Sequence, residues 1–181
     1  AEISANHCGS ITQAKKLIYC AKVNNADAVK IQTYTADTMT IKSKKKHFKI
    51  KNGIWKNYYL WDLYQEACTP YEWHKELFAY GKKIGIEIFS TPFDETAVDL
   101  LEKLNCPRYK IASFEMTDLP LIKKVAQTKK PLIISTGMAS IKEISETYSV
   151  AKKYGANDIT LLYCVSNCLL YTSDAADDLR G

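Results

Sequence analysis

Two hydrophobic periods take turns along the chain. Between Ser10 and Asn24 the apolar residues Ala14, Leu17, Ile18 and Ala21 fall at helical spacing, and Ala28–Ile31 is a short apolar strand interrupted by Lys30. The alternation then repeats. Leu60–Cys68 reads as a helix, and Thr69 and Pro70 supply an N-cap and a first helical position for a longer one that runs to Ile84 and stops at Gly85. Ile86–Phe89, Tyr109–Ile111, Leu132–Ile134 and Ile159–Cys164 read as strands. Helices over Glu95–Leu104, Leu119–Gln127 and Ile141–Tyr154 separate them, the last closed by Gly155. Ala1–Ile3 reads as the end of a strand, and residues 33–57 are polar and irregular.

Six strands alternating with five helical connections predict parallel βαβ units. A doubly wound open sheet and an eight-stranded barrel both satisfy that pattern, and the strand ends decide between them. Glu2, Lys30, Gln32, Ser90, Thr91, Lys110, Ser113, Glu115, Ser135, Thr136 and Ser166 all stand at or just after strand C-termini. A barrel brings those positions to one mouth, whereas an open sheet needs such residues only at its switch point. Neither GxGxxG nor GxxxxGK[ST] occurs, which removes support from the nucleotide-binding open sheets. A complete barrel takes about 250 residues, so the expected fold is a partial TIM (β/α)8 barrel holding about six of the eight strands.

Composition narrows the class further. The 181 residues are 46% hydrophobic and 25% charged, with no apolar run near the roughly 20 residues a membrane span requires. Six scattered cysteines without a CxxC pair form neither a disulfide framework nor a zinc knuckle; they read as reduced thiols of a cytoplasmic protein. The formal charge is +5, yet only Arg108 and Arg180 are arginine, which speaks against a nucleic-acid reader. Residues 168–181 resemble the in-frame translation of a sequencing adaptor and are expected to be a non-native tail. Ala1 is not an initiator Met, so residues 1–167 are expected to be a barrel portion cut at both ends.

Lys30 and Lys110 lie in apolar strands, where an unpaired ammonium is costly and calls for an anionic partner. Structural ion pairs with Glu2 or Glu115 would satisfy them. Together with the hydroxyls of Thr91, Ser113, Ser135 and Thr136, they also describe a pocket for a small ester bearing phosphate and carboxylate. Any one of these hydroxyls, taken alone, reads as an N-cap for the following helix rather than a ligand contact. Glu2 and Glu115 could move a proton at the same mouth or merely balance the lysines. His7 lacks a visible metal-ligand partner and reads as a polar loop histidine. The six lysines of Lys42–Lys51 read as a solvated loop able to attract anions. Among the aromatics Trp55, Tyr58, Tyr59, Trp61, Tyr64, Tyr71 and Trp73, Trp55 stands apart in a loop beside Gly53.

Several blocks resemble the sialic acid synthase family: residues 1–7 (Ala-Glu-Ile-Ser-Ala-Asn-His), 29–33 (Val-Lys-Ile-Gln-Thr), 90–93 (Ser-Thr-Pro-Phe), 109–115 (Tyr-Lys-Ile-Ala-Ser-Phe-Glu) and 134–138 (Ile-Ser-Thr-Gly-Met). They occur in family order over residues 1–166. Ser4–His7, Tyr34–Thr38 and Thr69–His74 resemble most the branch that makes pseudaminic acid. The resemblance implies condensation of phosphoenolpyruvate with an acetamido sugar, with release of phosphate, by a homodimer that uses Mn²⁺ or Mg²⁺. It implies that Lys30, Thr91, Lys110, Ser113, Ser135 and Ser166 contact phosphoenolpyruvate. Glu2 and Glu115 become catalytic groups, and Gln32 and Trp55 sugar contacts. It places the metal histidines and an antifreeze-like domain beyond this sequence, so the fragment is expected to hold no metal ligands and to be inactive. Two rival classes fit parts of the pattern: a barrel lyase or aldolase with a Schiff-base lysine, and a nucleic-acid module using the basic loop.

Overall fold

The structure, a computed structural model, describes residues 1–164. One parallel sheet runs β1 (Ala28–Thr33), β2 (Glu87–Pro92), β3 (Tyr109–Ile111), β4 (Leu132–Ser135) and β5 (Ile159–Leu162), with spatial order equal to chain order. The helices are α1 (Ile11–Val23), α2 (Ala36–Met39), α3 (Leu60–Ala67), α4 (Tyr71–Ile84), α5 (Glu95–Lys103), α6 (Leu119–Ala126) and α7 (Ile141–Lys153). A doubly wound sheet reverses its strand order at a switch point. Among the described residues the order shows no reversal, and right-handed crossovers then lay every connecting helix on the same face. That is the winding of a barrel.

Alternation along the strands builds the two faces. Val29, Ile31, Ile88, Ile111, Leu132 and Ile134 are buried toward the helices, where Ala14, Ile18, Leu77, Val98, Leu101, Ile122 and Val125 meet them. Packing is close enough that a Cβ on Gly81 of α4 would sit 2.6 Å from Ile88 Cγ1. The opposite face carries Lys30 and Gln32 on β1 and Lys110 on β3, all only half-buried.

The first expected strand is reduced to a single parallel bridge, Glu2 with Lys30, flanked by Lys30 N–H donating to Ala1 O and Ile3 N–H to Lys30 O. Among the described residues five strands therefore form the sheet, with the N-terminal residues alongside β1. Residues 33–57 are less irregular than their polarity suggests. Thr35 and Thr38 make a reciprocal capping box on α2, and Lys49 bridges antiparallel to Tyr59. Thr69 does not cap α4, whose N-cap position is Pro70 with no side-chain bond. Its hydroxyl is buried against His7 Nε2 at 3.4 Å.

Candidate active site

Residues in register across a parallel sheet point the same way, and the face recurs every second residue. Glu2 pairs with Lys30, Gln32 with Thr91, Lys110 with Ile133, and Ser135 lies two residues beyond Ile133. Glu2, Lys30, Gln32, Thr91, Lys110 and Ser135 therefore share the face opposite the helices. Ser113 and Glu115 follow on the 3₁₀ turn Ser113–Glu115, directly after β3.

The hydroxyls are not helix caps. Side-chain caps come from Ser10, Thr35, Asp94, Asp118 and Ser140. Thr91 is 1% exposed, and its Oγ1 has no partner among the described residues. Ser113 Oγ accepts from Gly137 N–H at 3.2 Å, and Ser135 Oγ accepts from Lys110 Nζ. Thr136 instead donates to the Leu162 carbonyl at 3.0 Å, tying β4 to β5.

The lysines divide the expected ion pairs. Lys30 pairs with Glu2. Lys110 does not pair with Glu115; its ammonium donates to Ser135 and, at 2.8 Å, to the Ile111 carbonyl. Burial, and then the like charge of Lys110, push Lys30 down to about 8, while the adjacent Glu2 carboxylate acts in the opposite direction. Burial also lowers Lys110 and raises Glu115, whose Oε2 is buried without a partner among the described residues. The result is a half-buried face with two cations, one of them paired with the Glu2 carboxylate, one hydroxyl without a partner among the described residues, and a second carboxyl, Glu115, raised by burial. It suits a ligand with several negative oxygens.

Trp55 lies in the turn that precedes α3, not on a strand of the sheet. It is 47% exposed, edge-on to Tyr58, and lines a cavity of about 400 Å³ with Ala5, Cys8, Gly9, Leu63, Glu66 and Ala67. His7 is not the polar loop histidine expected of it but a buried one. It is 1% exposed, its Nδ1 accepts from Gly9 N–H at 3.1 Å, and burial lowers its pKa. Lys42, Lys44 and Lys49 lie over Trp61 and Tyr59, and Lys44 also pairs with Asp62. Ser166 and residues 168–181 lie outside the described residues. Among the described residues no group of three His, Cys, Asp or Glu side chains is placed to hold a metal. The described residues therefore do not by themselves fit the implied metal.

One buried network was not anticipated. Thr33 Oγ1 lies 2.8 Å from His74 Nε2 and 2.6 Å from Ser90 Oγ, Ser90 donates to the Ile31 carbonyl, and His74 Nδ1 donates to the Pro70 carbonyl. It clamps the ends of β1 and β2 beside Gln32 and Thr91. The legible signal was a hydroxyl at Thr33 and at Ser90, where a helix-facing strand position calls for an apolar side chain.

A singly wound parallel sheet with polar residues at its strand C-termini is part of a TIM-type barrel, the fold whose enzymes carry their chemistry at that end. A profile described as the NeuB family matches residues 17–176, and the chain belongs to that family. It is 49% identical over 166 residues to the pseudaminic acid synthase of Helicobacter pylori, covering 92% of this chain and 49% of that protein. To the N,N'-diacetyllegionaminic acid synthase of Campylobacter jejuni it is 41% identical over 169 residues, covering 92% and 50%. The crystal structure of N-acetylneuraminic acid synthetase from Leptospira borgpetersenii, in complex with citrate, superposes with a TM-score of 0.79 at 27% identity, covering 98% and 56%. The chain thus spans about half the length of the curated relatives it matches.

Proposed function

We propose that the complete protein containing this chain joins phosphoenolpyruvate to an open-chain acetamido sugar. The product is a nine-carbon acidic sugar, and phosphate is released. The observation that carries this reading is the face shared by Lys30, Lys110, Thr91 and Ser135, with Ser113 on the adjoining turn: two ammonium groups and three hydroxyls matched to a phosphate and a carboxylate on one small molecule. Glu2 and Gln32, at the same strand ends, meet the hydroxyls of the sugar.

In this reaction the methylene carbon of phosphoenolpyruvate bonds to the sugar aldehyde carbon, and the aldehyde oxygen takes up a proton. Water adds to the former enol carbon and loses a proton, and phosphate leaves. Glu115, biased toward its protonated form by burial, supplies the proton to the aldehyde oxygen and recovers one from the water. Lys30 and Lys110 neutralise the ester and hold it in line.

The sugar is a 2,4-diacetamido-2,4,6-trideoxyhexose of the altro series, and the product pseudaminic acid. The higher identity to the Helicobacter pylori relative supports this choice, while the Campylobacter jejuni relative supports the legionaminic isomer as the second reading. Phosphate release by the complete protein, measured with each sugar at equal concentration, separates them. Turnover is expected to be fastest with the altro sugar and at least tenfold slower with N-acetylmannosamine, since one lost apolar group in a pocket costs about 1–3 kcal/mol. Equal or better turnover with N-acetylmannosamine contradicts the sugar assignment and leaves the synthase class standing.

A further inference from the structure

We infer that Ser4 is a positioning residue that holds the Glu2 carboxylate in place once an anionic substrate has claimed Lys30; the inference rests on the reading above. In the free protein, Glu2 is held from two sides. Its Oε2 pairs with Lys30. Its Oε1 accepts from the Ser4 backbone N–H at 2.8 Å and from the Ser4 hydroxyl at 2.7 Å. When phosphate or carboxylate oxygens engage Lys30, Oε2 loses that cation's undivided charge. The two Ser4 donors then remain as the groups that fix the carboxylate toward the sugar.

Ser4 pays for this geometry in its backbone. Its φ is +34°, a region that non-glycine residues enter rarely. That conformation turns its N–H and its hydroxyl back onto a side chain only two residues earlier. Glycine would take the same turn without strain, so the turn alone gives no reason for serine. The far end of the turn is fixed independently of Glu2. His7 is buried, accepts from Gly9 N–H, contacts Thr69, and stands edge-on to Trp73 at 5.4 Å between ring centroids. Ser4 is thus presented to Glu2 by an anchored loop.

The test compares Ser4→Gly and Ser4→Ala in the complete protein by phosphate-release kinetics, calorimetric phosphoenolpyruvate affinity and Tm. A hydrogen bond to a charged group is worth enough that both variants should lose about tenfold or more in kcat. Their phosphoenolpyruvate affinity should stay within about twofold, and the Tm of Ser4→Gly should equal or exceed that of the parent, because the strain is relieved. If Ser4→Ala loses stability, Ser4→Gly decides. Undiminished kcat in Ser4→Gly means that serine serves only the turn and overturns the inference, as does a kcat loss matched by an equal loss of phosphoenolpyruvate affinity. If the unsubstituted protein releases no phosphate with any acetamido sugar, the functional reading itself is overturned, and Ser4's role with it.

Discussion

Replacing either Lys30 or Lys110 with alanine in the complete protein is expected to weaken phosphoenolpyruvate binding by about 2–5 kcal/mol. That is roughly thirtyfold to several thousandfold in Kd. Both ammonium groups are half-buried on the open face of the sheet, and each already spends its charge on the site: Lys30 on Glu2, Lys110 on Ser135 and the Ile111 carbonyl. A ligand phosphate offers stronger acceptors than a hydroxyl or a carbonyl, so removing a lysine strands negative charge in a partly desolvated place. Sugar affinity should move much less, because Glu2 and Gln32 remain. Calorimetric titration with each substrate in turn checks both halves of this expectation. Unchanged phosphoenolpyruvate affinity in the two variants would make the lysines structural.

The second large effect is expected at Glu115. Glu115→Gln should lower kcat by about 10²- to 10⁴-fold, the usual worth of a positioned acid or base, while phosphoenolpyruvate affinity changes less than about tenfold. Its carboxyl is raised by burial, and Oε2 has no partner among the described residues, so nothing structural uses the proton it would hold. Glutamine keeps the shape and the hydrogen-bonding carbonyl but cannot transfer a proton. Steady-state phosphate release together with calorimetry separates the two parameters. A variant with parent-like kcat would show that the proton travels by another route.

The parallel βαβ alternation was legible because strands carry apolar residues at alternate positions, as Val29 and Ile31 do, and the intervening helices repeat them at their own period; the barrel winding was legible because polar residues such as Lys30, Thr91, Lys110 and Ser135 stand at successive strand ends. Lys30 and Lys110 were legible for the opposite reason: a cation inside an apolar strand has to be explained. Tertiary partners are what one-dimensional patterns do not contain. Thr69-Pro70 has the form of a helix start, yet Thr69 is drawn to His7, some sixty residues earlier in the chain. Burial of His7 and His74 depends on hydroxyls from Thr69 and Thr33 that no local spacing reveals. The capping box of Thr35 and Thr38 was hidden because α2 spans only four residues, too few to display a helical period. Ser4 looks like an ordinary loop serine until its positive φ and its two bonds to Glu2 are seen together.

The claim on which the rest depends is that Lys30 holds an anionic substrate by its charge, and pH addresses it directly. Lys30 is lowered to about 8 in the free protein, so below that pH it is an ammonium, and above it the site loses one cation. Bound phosphoenolpyruvate favours the charged form, so affinity should be flat up to pH 8 and then fall toward tenfold per pH unit. Phosphoenolpyruvate binding to the complete protein, measured calorimetrically from pH 7 to pH 10 beside Lys30→Ala, is the decisive measurement. The account predicts a break near pH 8 in the unsubstituted protein and no such break in the variant. Affinity that holds steady through pH 8 to 9 in the unsubstituted protein, or the same break in both proteins, would contradict it.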